Sequence, residues 1–226
     1  MNFISRATLL TVSTFSLFGC GGTSGARTQD MSEAGHLKAA AKEDKAASQH
    51  AQYDCGKGRI CWGSNANPTE EQRADSEQHR RMAADHRAAA RALGDAEASS
   101  CVGISDADRD VSPFYHRADI SQVTPHVVAI SSDRPEERIT TGSDVVFRAT
   151  PGMTAEWLQH VVDCHIARAA AVGYNMPEMA YCPLELKNVQ GKVTSTGSGF
   201  AVAVTSDNPD TAKEIVRRSD MLVAKK

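Results

Sequence analysis

His160 and Cys164 lie four residues apart, and a later stretch carries Met176-Pro177-Glu178-Met179 and then Cys182. On a helix, residues four apart share a face. Imidazole together with thiolate and thioether sulfur is the donor set that selects Cu(I). His160, Cys164, Met176, Met179 and Cys182 are therefore the candidate metal ligands, with copper as the cation. Cys164 and Cys182 have a competing use, because a disulfide between them would consume both thiolates. His165 follows Cys164 directly but points about 100° away around a helix, so this adjacent pair does not argue for a Cys–His catalytic couple. His79 and His86 share one helix stripe, yet two turns separate them by about 10 Å, too far to hold one ion without a partner helix. In Ser105-Asp106-Ala107-Asp108-Arg109-Asp110 the aspartates alternate as in a calcium loop. Val111 and Arg117 stand where such a loop needs Gly and Glu, and Ser105 with Asp108 reads instead as a capping box on one short turn. No G-x-S-x-G elbow, H-E-x-x-H, phosphate-binding loop or G-x-G-x-x-G occurs. No catalytic residue is assigned, and a non-enzymatic role is expected.

The 226 residues carry a formal net charge of -3 and 5% aromatic residues. That charge leaves no electrostatic footprint for nucleic acid, which is not expected as a partner. The chain opens Met1-Asn2-Phe3-Ile4-Ser5-Arg6 and continues apolar from Ala7 to Phe18. This run is too short to span a bilayer, which takes about 20 residues, and matches the apolar core of a signal peptide. It ends Leu17-Phe18-Gly19-Cys20, with Gly21 and Gly22 following. The junction resembles the lipobox of bacterial lipoprotein precursors, with Phe18 where a small residue is usual. The resemblance covers about the first 20 residues and implies a signal peptide over 1–19, cleavage after Gly19 and lipidation of Cys20, with acylation of the new amino terminus. Gly21 is not the aspartate that retains such proteins in the inner membrane, which implies the outer membrane. The expected protein is then an envelope lipoprotein, anchored to the membrane by its N-terminal lipid and serving a structural or protein-binding role with an envelope partner. The alternative is a copper-binding periplasmic lipoprotein, since the Met-x-x-Met spacing also resembles that of periplasmic copper-handling proteins. Outside the cytoplasm cysteines are expected to pair. Cys164 with Cys182 and Cys55 with Cys61 are the disulfide candidates, Cys61 with Cys101 is a further option, and an odd thiol remains once Cys20 is lipidated.

The elements that must position these groups are unevenly distributed. Residues 20–66 are rich in Gly, Ser, Ala, Gln and mixed charge and predict a flexible tether with transient helix near Met31–Gln49, then a cysteine-bracketed loop at Cys55–Cys61. Over 67–118, Asn67-Pro68-Thr69-Glu70 starts an alanine-rich helix to about Ser99, with His79, Met82, His86, Ala89, Leu93 and Ala96 on one stripe. The core is expected in 119–226: strands at His126–Ile130 and Val145–Ala149, a helix from Thr154 to about Ala171, a hairpin of Val189–Thr196 with Phe200–Val204, and a closing helix from Pro209 to about Val223. The stretches 145–156 and 202–213 echo each other as strand, turn and Thr-Ala helix start, which suggests one strand-strand-helix unit used twice. The predicted class is α+β, a small, mostly antiparallel sheet with two helices on one face, ferredoxin-like in its layers. Such a fold does not name a function.

Overall fold

The computed structural model describes residues 32–52, 68–130 and 137–223. The expectations for the signal peptide, for Cys20 and for a Cys55–Cys61 pair lie outside these residues. The described chain forms a helical hairpin joined to an α+β unit.

Helix α1 (Glu33–Gln52) runs antiparallel to α2 (Pro68–Ser100). Residues 33–52 were expected as tether with transient helix near Met31–Gln49; the structure has a packed helix there instead. The reason lies in a heptad pattern built from small and polar side chains. His36, Ala40, Glu43, Ala47 and His50 alternate four and three residues apart on α1, and Gln72, Ser76, His79, Ala83, His86 and Ala90 do so on α2. Ala40, Ala47, Ser76, Ala83 and Ala90 are buried, so the two backbones approach closely along the seam. Leu93 completes the stripe inside the main core. The seam keeps His79, His86 and Leu93 of the expected α2 stripe, but its alanines are Ala83 and Ala90, one position on from Met82 and Ala89.

A capped turn, α3 (Asp106–Arg109), follows; Ser105 accepts a hydrogen bond from the Asp108 amide, as its capping box predicts. The sheet comprises β1 (Ile120–Ile130), β2 (Glu137–Arg148), β3 (Gln190–Thr196) and β4 (Gly199–Thr205) in the order β1-β2-β4-β3, every neighbour antiparallel. Helix α4 (Ala155–Ala171) follows β2 and α5 (Pro209–Asp220) follows β4. The strand-strand-helix unit is thus used twice. The layers are those expected, reached without the β-α-β-β-α-β connectivity of the ferredoxin-like fold. Both helices have the caps their sequences encode: Thr154 accepts from the Trp157 amide, and Asn208 accepts from the amides of Asp210 and Thr211.

One sheet face carries Val145 and Phe147 of β2 with Val202 and Val204 of β4. These pack in one cluster with Leu158 and Val162 of α4, Ile215 of α5 and Leu93 of α2. Each such side chain is worth about 1.5–3 kcal/mol when buried. At Gly191 on β3 a Cβ would overlap Val162 Cγ1, so α4 lies directly on that strand.

Strands β1 and β2 outrun the rest of the sheet. β2 pairs with β4 only over Gly142–Arg148, whereas β1 continues along β2 to Ile130↔Glu137. A register shift between His126 and Val127 marks the departure, and Gly142 sits opposite His126. There a Cβ would overlap the Val204 carbonyl, so only glycine lets the strand pass.

Candidate functional site

The sulfur and imidazole groups of the copper expectation are not brought together. Cys164 is bonded to Cys101, with their Cα atoms 4.9 Å apart and a sequence separation of 63. This corrects the expected Cys164–Cys182 pair. The flank of α4 that carries Cys164 faces the end of α2, where Cys101 and Ile104 form a small cluster with Val161 and Trp157. Cys182 lies in the main core instead, buried, and its sulfur accepts a hydrogen bond from Ser112 Oγ at 3.2 Å. Burial pushes that thiol up to about 12, so it is neither a thiolate ligand nor a nucleophile near neutrality. Met176 and Met179 are buried in the same core, where thioethers fill space. His160 is exposed on α4. With Cys164 oxidised and the others dispersed, these five residues form no copper site in this structure.

Beside the disulfide lies a buried polar latch. Arg168 of α4, fully buried, reaches Glu97 of α2 at 3.4 Å and Asp110 at 2.9 Å, and its guanidinium also donates to the Arg109 carbonyl. Arg109 bridges to Glu97 from the other side at 3.3 Å. Burial raises the Glu97 carboxyl above the ordinary range, against the pull of the two guanidiniums. Next to Arg168 in space, His165 is fully buried and its Nε2 lies 3.3 Å from the Asp108 carbonyl. Burial, and then Arg168, hold its pKa down at about 4, so the ring is neutral at physiological pH. The latch and the disulfide fix the hairpin to the α+β unit.

The hairpin seam carries the histidines. His36 Nδ1 and His86 Nδ1 are 3.2 Å apart. One heptad along, His79 Nδ1 meets Glu43 Oε2 at 2.6 Å. Further on, His50 Nδ1 meets Gln72 Oε1 at 2.9 Å and stacks on His79 with ring centroids 5.2 Å apart. α1 is thus the partner helix that His79 and His86 lack when α2 is read alone. The heptad of His36, Glu43 and His50 was the available signal, hidden by the absence of large apolar residues around it.

An exposed apolar patch lies on the β1–β2 ribbon. Val127, Val128, Ile130 and Ile139 are all exposed, and Val128 pairs directly with Ile139. β1 is an edge strand, and from Ile120 to Ile130 it contains no Asp, Glu, Lys or Arg. Edges are ordinarily blunted by charge, proline or bulges. Here Pro125 and the register shift at His126/Val127 protect only the half nearer the sheet, and no strand among the described residues pairs with the apolar Val127–Ile130 edge. Such a strand accepts an extended peptide as a further strand. Among family models, curated proteins and solved structures, no match to this chain is found.

Proposed function

We propose that this protein is a non-catalytic lipoprotein of the cell envelope, anchored through lipid on Cys20 in the outer membrane, that binds an extended segment of another envelope protein along the β1 edge. The observation that carries the binding role is the uncharged, apolar Val127–Ile130 edge on a ribbon that extends past the sheet. A two-stranded ribbon is marginally stable in water by itself, and adding a third strand would cover the Val128 and Ile130 side chains. The envelope assignment is supported by the lipobox residues Leu17-Phe18-Gly19-Cys20 and by the Cys101–Cys164 disulfide, which suits an oxidising compartment.

The test is site-specific photocrosslinking from position 128 or 130 in native membranes. A discrete adduct with one envelope protein, lost when Val127→Pro removes an edge amide, is the expected result. Adducts with lipid alone, or none, would reject the binding reading. Release of Cys20→Ser protein into the soluble fraction checks the anchor separately.

A further inference from the structure

We propose that His36 and His86 form a two-imidazole site for a divalent cation of the zinc, nickel and copper class, which clips α1 to α2. Their Nδ1 atoms are 3.2 Å apart across the helix seam. Two imidazole nitrogens on one tetrahedral zinc, each at about 2.0–2.1 Å, lie about 3.3 Å from one another. The separation in the protein is therefore already that of two cis ligands on one ion. The rings are tilted by 47°, with centroids 5.4 Å apart, so their nitrogens converge instead of stacking face to face. Both residues are partly buried, so neither imidazole is sealed from solvent.

The backbone supports this bite. Ala40 follows His36 by one turn, Ala83 and Ala90 flank His86, and all three alanines are buried. Their small side chains set the distance between the helices, so the imidazoles do not have to draw two mobile elements together. The other histidine pair on the seam lacks this arrangement. His79 Nδ1 is committed to Glu43 and His50 Nδ1 to Gln72, and their rings stack at an interplanar angle of 17°. Borderline cations of this class favour imidazole. When both rings are neutral, one Nδ1 carries a proton toward the other. Binding requires that ring to move the proton to Nε2, so that both Nδ1 lone pairs face the ion and no net proton is released. Protonation of either ring closes the site.

The experiment is a titration of the full chain with ZnCl2, following histidine side-chain nitrogens by long-range 1H–15N NMR. At one equivalent, Nδ1 of His36 and of His86 shift together while His50 and His79 stay in place, and EDTA reverses the change. His86→Ala abolishes the shift at His36; His86→Gln does the same and guards against a folding defect, which helical circular dichroism reports. His79→Ala leaves the shift intact. Zinc that moves only one of the two rings, moves neither, or still shifts His36 in both His86 variants would overturn the site.

Discussion

His165 is an imidazole that the folded chain holds without charge. The unfolded chain takes up a proton below about pH 6.5, whereas the buried ring does so only near 4. Between those values the unfolded state binds more protons, so stability falls as pH falls, by about 1.4 kcal/mol per pH unit. The contribution is complete above the upper value and is lost as pH drops through the interval. Chemical denaturation at neutral pH and near pH 4.5 should show a loss of about 2–3 kcal/mol from this group. In His165→Asn protein the slope should be smaller by that amount; an unchanged slope would mean that the ring is not the titrating group. Arg168 follows a different rule. It is buried against Glu97 and Asp110, and removing one partner strands buried carboxylates. Arg168→Met should cost about 3–5 kcal/mol, although a full apolar replacement of such a cluster is often tolerated. Equilibrium unfolding of Arg168→Met beside Arg168→Met/Glu97→Met reads the difference, with the double variant expected to recover part of the loss.

At the scale of elements, α1 depends on how closely it approaches α2. Ala83 is fully buried in that seam, and a larger side chain there must push the helices apart. Ala83→Leu should destabilise the hairpin by about 1–3 kcal/mol through overpacking. Amide hydrogen exchange should accelerate in Glu33–Gln52 while β2 and β4 keep their protection; equal acceleration in the sheet would show that the hairpin and sheet open as one. The same seam explains what could be read in advance. α2 was legible because Asn67, Pro68 and Glu70 encode a helix start, and α4 and α5 because Thr154 and Pro209 mark theirs. The central strands were legible from alternating Val145 and Phe147, and from Val202 and Val204, which all fall on the one sheet face that meets the core. α1 was not legible as a packed helix, because a periodicity search weighted toward large apolar residues passes over Ala40 and Ala47. The first half of β1 was missed for a related reason: Ser121, Gln122, Thr124 and Pro125 are residues of an edge strand, polar and lacking one amide.

For the whole molecule, the features that depend on long-range contact were the least legible. The resemblance to a lipobox is local, so the proposal for Cys20 draws on its sequence neighbours alone. The partner of Cys164 depends on where α2 ends relative to α4, and no spacing encodes that. The nearer candidate, Cys182, belongs to another cluster altogether. The bond that does form has a mechanical consequence. Cys101–Cys164 spans 63 residues, and closing a loop of that length lowers the entropy of the unfolded chain by an amount worth about 4 kcal/mol at 25 °C in the chain-entropy model. It also joins the hairpin to the α+β unit beside the Arg168 latch, so unfolding of the two parts should be coupled while the bond is intact. Both sulfurs are buried, and brief exposure of the native protein to a mild reductant should leave the bond in place. Cys101→Ser/Cys164→Ser protein should lose up to about 4 kcal/mol of global stability. Its hairpin amides should exchange ahead of those in β2 and β4, because the latch, the small Ile104–Val161–Trp157 contact and the seat of Leu93 in the main core then hold α2 against α4 without a covalent bond. If the variant keeps full stability and unfolds in one transition, the latch and the apolar contacts of Leu93 and Ile104 couple the two parts and the disulfide is mechanically redundant.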